Sequence, residues 1–485
     1  MSRCLTLSLP AVLLCSAATG QPRYFVNSAY NPWGWWADSK VFEAYVDVSK
    51  ARGHNAMTVD ISWAAERPDG SYDFSLLDSQ VNCILSRNMS AFVRLNLSTI
   101  ANKVPYWFTD EHLMCQPDGS VYRHAHGGTI PSISCPLVIE KMVRFAGAVA
   151  RHCDRAFPLR ASGAETILGL SVSFTPTLEC EYFFDGEIDY STWARADFAR
   201  WVRREYASLA DLNGKWGTHY TRWDEAGLVS AHPTAKELFF ESNLRDLLDR
   251  IGDAVRSASP RIKVGMQTGC IWDVFKRRVM NVTPLLRKMD WIYVADAPSY
   301  PHAFSTDYLR CSAPGKLISN EIDGPWTGGT DEQWTDQAIQ TYAHGANALF
   351  TANWSMDDMR DAGKWTFRRV ARRLAHEPAV KPKPDVAIYL STWDLIHQKI
   401  GVGTYQQAYN ELSSNGLNAV DVLPDAVIAA GPDALARYQR VYLPANVIIP
   451  PEVRSALLRY RGRLVIAQPD RAGTMDVYLK PTARL

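Results

Sequence analysis

Ile167-Leu168-Gly169-Leu170-Ser171-Val172-Ser173-Phe174, followed at once by Thr175-Pro176-Thr177-Leu178-Glu179-Cys180-Glu181-Tyr182, is the stretch that decides the fold. Its first half is an apolar, β-prone run of strand length. A proline-bearing turn then breaks the run and delivers two acids. Similar runs precede it at Tyr24–Tyr30, Ala56–Ser62 and Ala91–Leu97. Others follow at Ile262–Gln267, Trp291–Ala295, Lys316–Ser319 and Ala348–Thr351. Between them lie amphipathic segments such as Thr192 to Tyr206 and Leu238 to Ser257. In the latter, Leu244, Leu247, Leu248, Ile251 and Val255 fall at helical spacing. Asp73 or Ser75 is a plausible cap for an earlier helix. Strands alternating with helices predict a parallel sheet, and this many units in about 330 residues fit a (β/α)8 TIM barrel.

The barrel is expected over residues 21–380. Lys381-Pro382-Lys383-Pro384 reads as a stiff linker. After it, residues 381–485 carry a second α/β pattern, a small doubly wound module. Its predicted strands are Asp385–Ser391, Leu417–Val422, Arg440–Leu443 and Leu464–Ala467, with a helix over Tyr405–Asn415. Residues 1–20 read as a signal peptide: a short basic start, an apolar run from Leu5 to Cys15, and Ala18-Thr19-Gly20 before the cut. Secretion is the resulting expectation. With 52 basic against 51 acidic residues, the chain has no electrostatic footprint for nucleic acid. No later stretch is apolar for long enough to span a bilayer.

Export permits disulfides, and removal of the leader would leave Cys83, Cys115, Cys135, Cys153, Cys180, Cys270 and Cys311, an odd set. The loop after the third strand holds His112, Cys115, His124, His126 and Cys135. Their spacing matches no standard zinc pattern, and a Cys115–Cys135 disulfide is the expectation. Sequons stand at Asn88, Asn96, Asn281 and Asn353; Asn96 and Asn353 fall at predicted strand ends and are discounted. No nucleophile elbow, zinc-protease motif or phosphate loop is present, and no cofactor is expected.

In a barrel, chemistry is done at the C-terminal strand ends. Past strand four come Glu179 and Glu181. A carboxyl there among apolar neighbours would have a raised pKa, as a general acid needs. Past strand seven comes Asn320-Glu321, where burying an unpaired acid would be costly without a purpose. Two carboxyl groups flanking a cleft are what glycoside hydrolysis requires. Polar and aromatic residues at other strand ends suit a sugar: Asn31, Arg94 and Asn96, Tyr300, and Trp354. The partner expected is therefore an oligo- or polysaccharide.

The chain resembles the family-42 β-galactosidase group of retaining (β/α)8 hydrolases. Three stretches carry the resemblance. One is Glu66-Arg67-Pro68-Asp69-Gly70-Ser71-Tyr72-Asp73-Phe74, which looks like the family's turn into its second helix. The most specific is Phe198 to Trp223, including Trp201-Val202, Arg204-Glu205-Tyr206 and Leu212-Asn213-Gly214-Lys215-Trp216-Gly217-Thr218. The third is the C-terminal module, similar to the family's glutamine-amidotransferase-like domain, which implies a homo-oligomer, a trimer by analogy. The resemblance implies Glu179 as acid/base, with Glu181 as the alternative, and Glu321 as nucleophile. It further implies Tyr300 bonded to Glu321, Trp354 stacked under the sugar, and Arg94, Asn31, Asn320 and Trp326 as substrate contacts. One departure stands out. The Asn-Glu usual at the end of strand four is replaced by Phe174-Thr175, and Pro176-x-x-Glu179-x-x-Tyr182 is similar to the acid motif of β-amylases. Two other readings therefore stay open: an inverting glycosidase, and a carbohydrate-binding protein without turnover.

Overall fold

The computed structural model describes residues 24–29, 38–99, 103–124, 127–180, 189–269, 281–294, 302–322, 330–353, 369–370, 382–396, 401–414, 418–445, 447–469 and 475–478. Eight parallel strands close into a barrel: β1 (Tyr24–Ala29), β2 (Ala56–Ser62), β3 (Ser90–Asn96), β4 (Ile167–Ser173), β5 (Val264–Thr268), β6 (Trp291–Val294), β7 (Leu317–Ile322) and β8 (Ala348–Asn353). Register from β1 to β8 pairs Tyr24 with Ala348 and Ala29 with Asn353, which seals the cylinder. Every predicted barrel strand is present within a few residues. The largest change is at β7, which runs on to Ile322, so that Glu321 lies inside the strand.

Around the barrel lie α1 (Ser39–Arg52), α2 (Ser75–Ser86), α3 (Pro136–Ala156), α4 (Thr192–Glu205), α5 (Leu209–Trp216), α6 (Pro233–Ala258), α7 (Val282–Leu285), α8 (His302–Ser312) and α9 (Asp331–Ala343). The helix ends follow local chemistry. Asp38 caps α1, accepting from Lys40 N and Val41 N, and Gly53 ends it with φ 99°, a left-handed conformation that suits glycine. At α2 the helical cap position is Phe74; Asp73 instead bonds Ser75 N and Oγ from just outside. Each strand alternates its faces. Outward residues such as Val59, Val93, Val172 and Met266 join the helices in the main core, and the inward Val26, Phe92, Trp291 and Phe350 fill the lower barrel.

Two of the stretches carrying the resemblance have clear local roles. Glu66 and Tyr72 close a tight turn as a β-bridge, with Gly70 at φ 80°. Phe198, Trp201, Val202, Leu212 and Phe239 form a separate apolar cluster beside the barrel. Asn213 knots its far end, donating to Tyr220 O and accepting from Tyr220 N and Thr218 Oγ1.

Beyond residue 382, a five-stranded sheet has the order β10-β9-β11-β12-β13. Its strands are β9 (Val386–Leu390), β10 (Asp421–Pro424), β11 (Arg440–Pro444), β12 (Arg463–Pro469) and the antiparallel β13 (Met475–Tyr478). Two expectations need correction. β10 starts several residues later than Leu417, because its partners on β9 are Ala387 to Leu390, and Asp421 to Pro424 are the residues that meet them. The edge strand β13 was not anticipated. The helix expected over Tyr405–Asn415 covers Val402–Leu412, and further helices lie at Thr392–Ile396, Asp425–Ala429 and Pro451–Arg459. The sheet meets the barrel through a buried polar knot on α8. There, Asp307 accepts from Arg310 Nη2 at 2.5 Å, Tyr409 OH at 2.6 Å and Val420 N at 3.1 Å, with His344 Nδ1 at 2.8 Å. Arg310 Nη1 also reaches Asp421 at 2.5 Å. No described helix is long and apolar enough to cross a membrane.

Candidate active site

Strand tilt places side chains from alternate strands at the same height in a barrel. The registers identify one such layer. Arg94 pairs with Ser171 and Ser171 with Gly265; two residues further along β5 is Gln267. Gln267 pairs with Tyr293 and Tyr293 with Ser319; two residues on is Glu321. Glu321 pairs with Phe350 and Phe350 with Val26; two residues on is Ser28. Ser28, Arg94, Gln267 and Glu321 therefore form one inward layer. Thr58, Ser171, Tyr293 and Phe350 form the layer beneath it by the same construction, and Tyr293 stacks on Phe350 with ring centroids 4.0 Å apart. The bond from Arg94 Nη2 to Ser28 Oγ (3.0 Å) lies within the first layer, and that to Thr58 Oγ1 (3.2 Å) joins the two.

Arg94 is 1% exposed. Its Nη1 lies 3.4 Å from Asp60 Oδ1, and its Nε and Nη1 have no hydrogen-bond partner. It is a buried cation in the floor of the site. Glu321, 8% exposed, shares that layer. Asn320 alternates to the outer face, where it is fully buried and accepts from Glu321 N at 2.8 Å. Strand alternation places it on the face opposite to that of Glu321.

Glu179 is carried by a turn that the sequence explains well. Phe174 N and Thr175 N both donate to Glu179 O, at 2.9 and 3.1 Å, and Leu178 N donates to Thr175 O at 2.9 Å. Pro176 suits the second position of such a turn. Leu178 completes it at φ 69°, a strained conformation for a leucine, and one held by complete burial of its side chain. Thr175 Oγ1 accepts from Glu179 N at 2.9 Å, and Thr177 Oγ1 donates to Glu179 Oε2. Burial pushes the Glu179 carboxyl up to about 7, against the opposing pull of Thr177, Arg94 and Thr175.

The loops above are pinned by buried polar groups. Asp189 is fully buried and accepts from Ser132 Oγ, from Ser191 N at 2.8 Å and from Cys115 N at 3.2 Å, joining the third and fourth loops. Asp189→Ala is expected to lower stability by about 2–3 kcal/mol, since the stranded donors lose their partner; urea unfolding of the variant measures it. Glu66 accepts from Lys141 Nζ at 2.6 Å and Trp107 Nε1 at 2.8 Å, bracing the same face. His112 serves locally, its Nδ1 accepting from Thr109 N at 3.0 Å. Among the described residues, no group of three or more His, Cys, Asp or Glu could hold a metal ion.

The expected Cys115–Cys135 disulfide is absent, and both are free thiols. Cys115 sits in a β-bridge with Val121, its sulfur against Leu113 O, while Cys135 is buried in the core at the head of α3. Asn96 is 5% exposed with Oδ1 bonded to Ser98, which fits its rejection as a sequon. Asn31, Glu181, Tyr300, Trp326 and Trp354 lie outside the described residues, as do His126 and Cys270. Sequence reasoning missed Ser28, Gln267, Thr175, Thr177 and Asp189. For the strand residues a signal existed: a small or polar residue at alternate positions of an otherwise apolar strand.

The fold is shared with solved β-galactosidases. That of the haloarchaeon Halorubrum lacusprofundi superposes with a TM-score of 0.68 at 17% identity, covering 96% of this chain and 75% of the other. For the G. stearothermophilus enzyme, solved as a catalytic mutant, the values are 0.70, 16%, 95% and 74%. For the psychrophilic Marinomonas ef1 enzyme they are 0.67, 16%, 92% and 75%. No curated protein matches the sequence. The family model described as Beta-galactosidase matches residues 29–365, most of the chain and nearly all of the barrel. A carboxyl group in the turn after β4 and another on β7 accord with this match, and the chain belongs to glycoside hydrolase family 42, the β-galactosidase family.

Proposed function

We propose that this glycoside hydrolase cleaves β-galactosides with retention, using Glu179 as acid/base and Glu321 as nucleophile. The observation that carries the reading is a buried carboxyl with a raised pKa just past β4, in a barrel that carries a second, inward-facing carboxyl on β7. Glu179 is raised to about 7 by burial, the direction a general acid needs. Glu321 stands on β7, facing the barrel interior in the same layer as Arg94. Glu179 protonates the glycosidic oxygen while Glu321 attacks the anomeric carbon. The glycosyl-enzyme is then opened by water that Glu179 deprotonates.

Three further assignments belong to this reading. Tyr300, Trp354, Trp326 and Asn31 complete the sugar site. The sheet of residues 381–485 is a separate glutamine-amidotransferase-like domain, and the protein is a homotrimer. Residues 1–20 direct secretion and are removed.

The test is a panel of aryl β-glycosides with the wild type and Glu179→Ala. Wild-type kcat/KM should fall on the alkaline side with a pKa near 7, because the acid loses its proton there. In Glu179→Ala that limb should vanish. Turnover of unactivated substrates should drop by about 10²–10⁴-fold, and dinitrophenyl glycosides, which need no protonation, should still form the glycosyl-enzyme. Proton NMR of the first-formed sugar should show the β anomer. An α anomer would establish inversion, and no turnover across the panel would leave a binding protein.

A further inference from the structure

Four atoms around Glu179 form a closed circuit. Glu179 N–H donates to Thr175 Oγ1 at 2.9 Å. Thr175 Oγ1 lies 3.1 Å from Thr177 Oγ1. Thr177 Oγ1 donates to Glu179 Oε2. Each hydroxyl has one proton, which fixes the direction. The Thr177 proton is committed to the carboxyl group, so Thr177 can only accept from Thr175. The peptide N–H of Glu179 is thus linked to its own side chain through two hydroxyls.

Resting on the acid/base reading of Glu179, we propose that Thr175 and Thr177 are positioning residues: their relay orients the carboxyl and reserves Oε1 for the catalytic proton. With Oε2 receiving the Thr177 hydroxyl, the acid proton sits on Oε1. In the first step it moves from Oε1 to the glycosidic oxygen as the bond to the anomeric carbon breaks, leaving a carboxylate. In the second step Oε1 takes a proton from the attacking water and is restored. The Thr177 bond strengthens as charge develops, since hydrogen bonds to a carboxylate exceed those to a neutral acid. Burial raises the pKa of the Glu179 carboxyl. The relay moderates that effect, and both threonines favour the charged form.

The strained Leu178 links the two halves of the circuit, and its φ of 69° brings Glu179 back over Thr175. Among the described residues, Arg94 on β3 is the charged group from another element that acts on Glu179; Asp60 on β2 lies 3.4 Å from Arg94 Nη1, and Glu321 on β7 stands in the Arg94 layer. The neighbouring Cys180 is buried, with its N–H on Gln267 O.

The experiment compares pH profiles of kcat/KM on phenyl and 2,4-dinitrophenyl β-galactosides for Thr177→Val, Thr177→Ser and Glu179→Ala. In Thr177→Val the alkaline limb should move up by about one pH unit, because a bond favouring the carboxylate is lost. Phenyl galactoside turnover below that limb should fall about tenfold, and glycosyl-enzyme formation from the dinitrophenyl substrate should be unchanged. Thr177→Ser should restore both values. An unmoved limb in Thr177→Val overturns the relay, as does an equal shift in Thr177→Ser. Should Thr177→Val not fold, Thr177→Ala and Thr175→Val carry the same expectations. If the limb persists in Glu179→Ala, the acid/base reading itself fails. If it vanishes there yet stays put in the threonine variants, the relay alone fails.

Discussion

Glu321→Gln should lower kcat by about 10⁴-fold or more while leaving the fold intact. An amide of the same shape keeps the barrel layer filled but cannot attack the anomeric carbon, so both chemical steps are lost together. KM should change little, because Gln retains polar contacts and the remaining sugar contacts lie elsewhere. Initial rates on an aryl galactoside, with a circular dichroism melt beside them, separate the chemical effect from the structural one.

Asp307→Ala should be the most damaging substitution away from the site. The carboxylate is fully buried and serves Arg310, Tyr409 and Val420, with His344 beside it. Removing it leaves the Arg310 cation short of one of its two buried acids. A loss of about 3–5 kcal/mol is expected, a large share of the roughly 5–15 kcal/mol that holds a typical domain together. The Asp211–Lys215 pair is the control. It stands on the surface of α5, with the lysine 58% exposed, and Asp211→Ala should cost at most about 1 kcal/mol. Urea midpoints of the two variants give the comparison. Near-equal values would show that the knot does not join sheet to barrel.

Much of this was legible in the chain itself. Barrel strands read as short apolar runs because both of their faces are covered, and the turns between them are marked by glycine, proline and polar residues. The catalytic candidates were legible because acids at the ends of such runs are rare and costly. What escaped depends on register. That Ser28, Gln267 and Arg94 stand level with Glu321 follows from the stagger of strands around the cylinder, which no local pattern records. Asn320 illustrates the same limit: its neighbour faces the interior, and one residue reverses the direction. β10 was misplaced because its limits are set by pairing with β9 rather than by its own apolar run. The Thr175–Thr177 circuit depends on a left-handed Leu178, a conformation that a leucine does not advertise.

Trapping the glycosyl-enzyme tests the assignment of the two carboxylates most directly. The protein would be incubated with 2,4-dinitrophenyl 2-deoxy-2-fluoro-β-galactoside, digested, and sequenced by mass spectrometry. The account predicts stoichiometric inactivation, with the sugar on the peptide containing Leu317 to Ile322 and the ester on Glu321. A label on Glu179, or active turnover without any trapped sugar, would contradict it.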